Sequence, residues 1–347
     1  MKKIHIIGTV GVPACYGGFE TLVDNLLDDE RFDITVYCSS KTYKNKKVEK
    51  YKGANLVYVP LNANGIQSVA YDVYSMFFAA TKKADIILVL GVSGCFFLPV
   101  LRKISHAKIV TNIDGLEWRR DKWNSLAKSF LKKSEELAVK FSDVVISDNK
   151  AIADYVKNEY AFDSQVIAYG GDHAITKEIT FDDKDYAFTV CRIEPENNIA
   201  MILGAFSVVN KKLVIVGNWN NSSYGQELRK KYNSCKNIEM LDPIYDTPKL
   251  AELRAFCSCY IHGHSAGGTN PSLVEMMHFG KSIICFDCSY NRETTDHKAI
   301  YFQDEHSLSE IMKSAKHFGE NKDMLEIARE KYTWDKIREQ YYNIFEL

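Results

Sequence analysis

The sequence predicts two similar doubly wound α/β domains in one chain. Short runs rich in valine and isoleucine alternate with longer segments of helical spacing, which is typical of a parallel sheet covered by helices on both faces. This pattern stops at Gly170 and Gly171 and begins again near Tyr186. A chain of 347 residues also exceeds what one hydrophobic core usually organises.

Eleven apolar runs are predicted to be strands, six before the interruption and five after it. The first six are Ile4 to Ile7, Ile34 to Tyr37, Leu56 to Val59, Ile86 to Leu90, Lys108 to Asn112 and Val144 to Ser147. The other five are Tyr186 to Cys191, Leu213 to Val216, Ile238 to Leu241, Cys259 to Ile261 and Ser282 to Phe286. We therefore predict domains at residues 1–170 and 171–332.

The last segment, residues 333–347, is predicted to be a helix that packs back on the N-terminal domain. Four apolar side chains recur on one side of it, which is enough to dock the helix against a domain. They are Ile337, Tyr341, Tyr342 and Phe345.

Composition and charge exclude several classes of protein. A formal net charge of -1 argues against a nucleic-acid partner, because such a partner usually requires a clearly basic domain. The nine cysteines are an odd number and do not form the two CxxC pairs typical of a zinc site, which favours reduced thiols in a cytoplasm and no zinc site. The N-terminal apolar run is too short for a signal peptide, and no run reaches the ~20 residues that span a bilayer.

A glycine-rich loop follows the first predicted strand and leads into a helix near Glu20. Glycines let a ligand approach the backbone, and a helix N-terminus offers unpaired N–H groups. Gly8, Gly11 and the pair Gly17 and Gly18 do not have the GxGxxG spacing of a dinucleotide site. The loop is interpreted as facing a ligand, and a tight turn without a ligand is the alternative.

A second glycine-rich segment, residues 262–277, precedes a predicted helix in the other half. Pro271 suits the first helical turn and Gly280 suits the stop, so the N-terminal amides of this helix point toward residues 267–269. A diphosphate fits that position. Glu275 lies about one turn inside the helix, where a carboxylate can accept hydrogen bonds from sugar hydroxyls. A solvated surface glutamate is the alternative.

His262 and His264 are two residues apart at the start of this segment. Strand-like spacing would place their side chains on opposite faces, which argues against a metal site formed by the pair.

These motifs resemble the GT-B-fold glycosyltransferases of family 4, and within them the bacterial rhamnosyltransferase-like branch. Four blocks in order carry the resemblance: GTVGVPACYGGFET, NIDGLEWRRDKW, CRIEPENN, and HGHSAGGTNPSLVEMM followed by FDCSYNRETT. The resemblance implies two Rossmann-like domains that face each other across a cleft. It also implies that the N-terminal domain binds the acceptor, that the C-terminal domain binds the nucleotide sugar, and that no metal is needed.

Residue by residue, the resemblance assigns Arg192 to the donor diphosphate and Glu275 to the ribose. An arginine fork suits a diphosphate because it donates two hydrogen bonds and stays charged. Asn197 stands where many relatives have lysine, and Gly267 stands where many have a first glutamate. The full donor-binding set is Gly17, Gly18, Arg192, Asn197, Gly267, Gly268, Thr269, Asn270, Ser272 and Glu275.

The acceptor is assigned to Tyr16, Glu20, Asp114 and Glu117. Asp114 follows the strand that ends at Asn112, at the carboxyl edge where open α/β sheets place their ligands. A cap or turn aspartate is the alternative for Asp114. Together with Arg192 and Glu275, Asp114 completes the predicted catalytic set.

A helix predicted within residues 123–141 has one apolar face and several lysines on the other. Such a helix either packs on the domain, which we favour, or contacts anionic lipid as a peripheral membrane surface.

The resemblance therefore predicts transfer of a hexose, as rhamnose from dTDP-rhamnose, to a saccharide or a lipid-linked saccharide. The expected context is synthesis of a bacterial surface polysaccharide, in the cytoplasm at the inner face of the plasma membrane. Transfer is expected to retain the anomeric configuration and to need no metal or cofactor besides the nucleotide-sugar donor. A sugar-nucleotide epimerase on the same scaffold is one alternative. A catalytically inactive subunit that binds sugar nucleotides is the other, suggested by Asn197.

Overall fold

The β-branched runs form two separate sheets in the computed structural model. It describes residues 1–15, 17–44, 48–120, 123–176, 184–314 and 318–347. One compact unit contains Met1–Ala168 and Ile337–Leu347, and the other contains Tyr169–Lys336. The first division thus falls two residues before the predicted boundary at 170. The second falls four residues after the predicted boundary at 332.

The first unit contains an eight-stranded sheet in the order β3-β4-β2-β1-β5-β6-β7-β8, parallel except for the β3–β4 pair. Its strands are β1 Lys2–Ile7, β2 Phe32–Ser39, β3 Lys50–Tyr51, β4 Ala54–Val59, β5 Ile86–Leu90, β6 Lys108–Asn112, β7 Val144–Ser147 and β8 Gln165–Val166. Its helices are α1 Gly18–Leu26, α2 Gln67–Thr81, α3 Leu98–Ile104, α4 Ser125–Phe141 and α5 Lys150–Tyr160.

The second unit contains a six-stranded parallel sheet in the order β11-β10-β9-β12-β13-β14. Its strands are β9 Tyr186–Val190, β10 Lys212–Val216, β11 Ile238–Leu241, β12 Cys259–His262, β13 Ser282–Phe286 and β14 Ile300–Phe302. Its helices are α6 Ile199–Ser207, α7 Ser223–Tyr232, α8 Thr247–Phe256, α9 Pro271–Met277, α10 Ser289–Thr294, α11 Glu305–Ser314 and α12 Lys322–Lys331.

Each sheet has one point where the chain reverses its direction of winding. In the first sheet this point lies between β1 and β5, and in the second it lies between β9 and β12. Open α/β sheets bind ligands outside the carboxyl ends of the strands at such a point. The loops after β1 and β5, and those after β9 and β12, therefore lie where a ligand is expected.

All eleven predicted strands are present, with ends that shift by at most two residues. The sequence does not reveal β3, β8 and β14, because β3 and β8 have two residues each and β14 has three. Runs this short carry no periodicity.

The C-terminal helix α13, Trp334–Glu346, begins one residue after the predicted segment starts at 333. Its residues from Ile337 onward belong to the first unit. There the buried Tyr341 hydroxyl accepts a 2.9 Å hydrogen bond from the Asn112 side chain at the end of β6. Among the helices of the described ranges, none combines the length and apolar character that crossing a bilayer requires.

Candidate active site

Hydrogen bonds join the loops that follow β9 and β12 in the second unit. The Ser265 N–H and hydroxyl both donate to the Glu196 carbonyl at 2.9 Å. The Asn198 side chain donates to the Gly263 carbonyl at 2.8 Å. Because β9 and β12 flank the winding reversal, these bonds make the two loops one continuous surface at the carboxyl edge.

Arg192 lies in the first of these loops with its side chain 45% exposed. Its nearest carboxylate among the described ion pairs is Glu194, at 3.9 Å, which is a loose contact. The backbone carbonyl of Arg192 accepts a 2.7 Å hydrogen bond from the Asn197 side chain. The guanidinium is thus presented on a braced loop and is accessible to a ligand.

Asn197 has a different contact from the one that the resemblance implied. Its side chain is buried at 2% exposure, and its amide nitrogen is bonded to the Arg192 carbonyl. The sequence placed Asn197 against a phosphate, whereas in the structure it stabilises the backbone of its own loop. A short 3-10 turn at Pro195–Asn197 turns the side chain inward.

The predicted phosphate loop, residues 267–269, leads directly into α9. Gly267 has a φ of 118°, a conformation that residues with a Cβ rarely adopt, and Thr269 is buried. Gly268 beside them is half-buried. The loop therefore presents mainly backbone groups.

Asn270 caps α9. Its side-chain oxygen accepts from the Ser272 N–H at 3.0 Å and from the Ser272 hydroxyl at 2.8 Å. The Tyr260 hydroxyl donates to the Ser272 hydroxyl at 3.2 Å. Both predicted donor residues, Asn270 and Ser272, thus take part in holding the start of the helix.

Glu275 is an ion-paired side chain with 15% exposure, so it is not a solvated surface glutamate. One carboxylate oxygen is paired with the buried Arg254. The other lies 3.4 Å from His173 Nε2. Burial alone would raise the pKa of Glu275, but the Arg254 charge and the His173 contact outweigh burial and lower it.

His173 is oriented by Trp334. The indole N–H of Trp334 lies 2.9 Å from His173 Nδ1, and an indole can only donate. His173 Nδ1 therefore accepts, and in the neutral ring Nε2 carries the proton that faces Glu275. Sequence reasoning missed Arg254, His173 and Trp334, because only folding brings them to α9.

The two histidines of the second motif are stacked. His262 is the last residue of β12, and the chain turns at Gly263, so the two rings lie 4.4 Å apart with an angle of 11°. The prediction that they lie on opposite faces was wrong, because strand spacing ends at His262. His262 is 1% exposed, and burial lowers its pKa to about 3.

In the first unit, Glu20 holds the loop after β1. Its Oε1 accepts from the Thr9 hydroxyl at 2.9 Å and from the Val10 N–H at 2.7 Å. Glu20 is 6% exposed, and burial raises its pKa against the effect of these hydrogen bonds. Glu20 therefore braces its own loop, and its acceptor contact stays a prediction.

Gly17 and Gly18 begin the helix after this loop, as its N-cap and its first residue, two residues earlier than predicted. Tyr16, the remaining residue that the sequence assigned to the acceptor in this loop, lies outside the described residues.

Asp114 follows β6 with a φ of 60°, in the left-handed region that non-glycine residues rarely occupy. Its N–H donates to the Asn112 side chain at 3.1 Å, and the residue as a whole is partly exposed. Strained backbone of this kind is concentrated at functional sites. Asp114 thus keeps the position that the sequence assigned to it.

Glu117 is engaged within its own segment. Its carboxylate accepts from Trp123 Nε1 at 3.0 Å and pairs with Arg120 at 2.9 Å. Glu117 therefore braces the loop after Asp114, and its acceptor role stays a prediction.

A cavity of about 830 Å³ in the second unit touches none of these residues. It is lined by the first residues of β9 and β10 and by one side of α8, among them Tyr186, Lys212 and Leu253. Because it shares no lining residue with the loops after β9 and β12, it differs from the candidate site. In the described part of the chain, no group of three or more metal-ligating side chains comes together.

The Glu275 pair predicts a pH-dependent effect of Arg254→Leu. A lowered pKa means that Glu275 stabilises the fold above its ordinary pKa of 4.5, and that this contribution is lost as pH falls through the folded value. Without Arg254 the largely buried carboxylate keeps only its contact with His173, and the loss of the ion pair should cost ~3–5 kcal/mol at pH 7. Thermal unfolding should show this deficit at pH 7 and a smaller one at pH 4.

The matched control is Arg229→Leu, which removes an exposed ion pair with Asp242 in the same unit. It should lower the melting temperature little at either pH. An Arg254→Leu deficit as large at pH 4 as at pH 7 would show that lost packing, and not charge, is responsible.

Two family models match the chain, one for each half. Residues 1–172 match a family described as "Domain of unknown function (DUF1972)". Residues 172–331 match "Glycosyl transferases group 1". A sequence search of curated proteins finds no match.

Solved structures match the chain along its whole length at low identity. Sucrose-phosphate synthase from Thermosynechococcus elongatus has a TM-score of 0.79 at 16% identity, covering 100% of this chain and 98% of that one. HepE of Anabaena in complex with UDP has a TM-score of 0.74 at 14% identity, covering 100% of both chains. The catalytic domain of starch synthase IV from Arabidopsis thaliana, bound to ADP and acarbose, has a TM-score of 0.69 at 11% identity, covering 99% and 98%.

The chain therefore has the two-domain GT-B fold. Its second half is similar to the group 1 glycosyl transferases over residues 172–331.

Proposed function

We propose that the protein transfers a hexose from a nucleotide sugar to a saccharide, with the donor diphosphate bound between Arg192 and residues 267–269. The observation that carries this proposal is the pair of loops after β9 and β12, which are bonded to each other at the winding reversal of the sheet. One loop supplies an exposed guanidinium and the other supplies backbone groups next to a helix start. This combination suits a diphosphate.

The chemistry we propose is stabilisation of the leaving diphosphate. Glycosyl transfer passes through an oxocarbenium-like state, in which negative charge builds on the leaving phosphate oxygens. Arg192 supplies a fixed positive charge there, and preorganised charge is worth several kcal/mol in such sites, roughly 3 to 4 for a single donor. We further propose that transfer retains the anomeric configuration, with Asp114 on the acceptor side.

Glu275 is suited to the donor ribose. Its lowered pKa keeps the carboxylate ionised at neutral pH, so it acts only as an acceptor. Arg254 and His173 use one lone pair on each oxygen, and further lone pairs remain for hydroxyl groups. The side chain is fixed from two directions, and binding a hydroxyl therefore needs little further ordering.

For the donor we propose dTDP-rhamnose, on the resemblance of the sequence blocks to the rhamnosyltransferase-like branch. The acceptor would be a saccharide or a lipid-linked saccharide, in synthesis of a bacterial surface polysaccharide at the inner face of the plasma membrane.

The donor proposal predicts selective thermal stabilisation. Ligand binding to the native state raises its stability by mass action, so dTDP-rhamnose should raise the melting temperature more than UDP-glucose, GDP-mannose or ADP-glucose. Arg192→Ala should keep the wild-type melting temperature, because the side chain is exposed. It should weaken donor binding and turnover by more than about tenfold through loss of a charged hydrogen bond.

Arg229→Ala is the control for removing one arginine from the same unit, and it should bind the donor like the wild type. Wild-type turnover in Arg192→Ala would remove this residue from the site. Release of a changed donor sugar without any acceptor would favour an epimerase instead.

We also propose that transfer needs no metal ion, because Arg192 supplies the positive charge at the leaving group. Turnover should then stay within about twofold of the untreated rate in EDTA, as expected when no charge on the diphosphate depends on a cation. The measurement is the initial rate before and after chelation. Loss of activity that Mg²⁺ or Mn²⁺ restores would contradict the proposed role of Arg192.

An apolar surface formed by Phe96, just before α3, and by α3 and α4 favours peripheral membrane contact. Phe96, Val100 and Ile104 follow at four-residue intervals, as do Leu126 and Phe130, and the Phe96 and Phe130 rings meet at 5.6 Å. All five are 38% to 81% exposed, so this side of α4 is less packed than the sequence led us to favour. Exposed lysines on the same helices suit anionic lipid.

Flotation with vesicles tests this surface. The wild type should float with vesicles that contain phosphatidylglycerol and much less with pure phosphatidylcholine, and Leu126→Gln with Val100→Gln should reduce flotation several-fold. Tyr245→Gln, which changes an exposed side chain of the second unit, is the control. Equal flotation of the double variant would rule out this surface.

A further inference from the structure

His262 is a buried side chain whose two ring nitrogens find no hydrogen-bond partner in the described part of the chain. Buried polar groups are nearly always bonded, and an unsatisfied one lowers the stability of the fold. Such a group in a native protein needs an explanation. One explanation is that a bound ligand supplies the missing hydrogen-bond partner.

The position of His262 points to a ligand. His262 ends β12, the strand that neighbours β9 at the winding reversal of the second sheet. Its own loop is bonded to the loop that carries Arg192, through Asn198 and Gly263. The imidazole is therefore built into the same carboxyl-edge site.

The protonation state of the His262 ring determines which chemical group of a ligand it can bind. Burial keeps His262 neutral at physiological pH, and a neutral imidazole has one donor and one acceptor. A phosphate oxygen could use only the donor. A sugar hydroxyl both donates and accepts, so it can bond whichever ring nitrogen faces it.

His264 covers one face of this ring. Its own ring is half-buried, whereas its backbone carbonyl is fixed by a 2.9 Å hydrogen bond from the Asn291 side chain. A ligand group that reaches His262 from this face therefore requires the His264 side chain to move. The segment that follows, residues 265–268, is also only half-buried.

We propose that His262 hydrogen-bonds the hydroxyl groups of the transferred sugar, and that the side chain of His264 moves aside to admit them. This inference rests on the proposed function, because it assigns the sugar of the same donor. It makes His262 a specificity-determining residue for the sugar, separate from the diphosphate contact of Arg192.

The test is isothermal titration of the full chain with the stabilising nucleotide sugar and with the corresponding nucleoside diphosphate. His262→Phe should weaken the binding of the nucleotide sugar at least about tenfold, which is the effect of losing a hydrogen bond. It should weaken the binding of the nucleoside diphosphate less than about twofold. The melting temperature should stay at or above that of the wild type, because a buried unsatisfied group has been removed. His262→Leu serves the same purpose if the larger ring does not fit.

His278→Phe is the matched control, a buried histidine of the same unit whose Nε2 is bonded to the Tyr332 carbonyl at 2.9 Å. It should lower the melting temperature and leave both affinities unchanged. Unaltered affinity for the nucleotide sugar in folded His262→Phe or His262→Leu would overturn this inference alone. A wild type that binds no nucleotide sugar would overturn the proposed function and this inference with it.

Discussion

The bonds between the loops after β9 and β12 determine the geometry of the candidate site. Each strand delivers its loop to the carboxyl edge, and the contacts of Ser265 with Glu196 and of Asn198 with Gly263 hold one loop against the other. Arg192 lies four residues before Glu196, and the backbone at Gly267 lies two residues after Ser265. A charged group and a set of amides that come from distant parts of the sequence thus keep a constant separation.

Two largely buried glutamates show how neighbouring groups change the pKa of a carboxyl group and thereby its role. Glu20 receives hydrogen bonds from neutral donors only, and its raised pKa is that of a carboxyl group that serves as a structural brace. Glu275 faces the cation of Arg254, and its lowered pKa is that of a permanent anion. Both lie in the first or second turn of a helix after a glycine-rich loop. Sequence position alone therefore does not separate them.

The sequence predicted the sheets well because the strands of a parallel sheet are buried on both faces and therefore appear in the sequence as unbroken apolar runs. It also located the glycine-rich loops and the start of α9 at Pro271, because glycine and proline restrict backbone conformation locally. It did not predict which way polar side chains turn. Asn197, Glu20 and Glu117 are drawn inward by partners that a linear pattern does not identify. The stacking of His262 and His264 was not predicted for a similar reason. A turn at Gly263 brings the His264 side chain to the same side as that of His262.

Trp334 links positions far apart in the chain. Its indole assigns the proton of His173, 161 residues earlier, and its ring packs on Gly170 so closely that a Cβ there would lie 2.5 Å from it. In a library that randomises His173 alone, the fixed indole donor would reject most side chains that do not accept a hydrogen bond. A library that randomises Gly170, His173 and Trp334 together would include compatible combinations of side chains that no single substitution can produce. The three positions form one unit of variation, although the sequence scatters them across half its length.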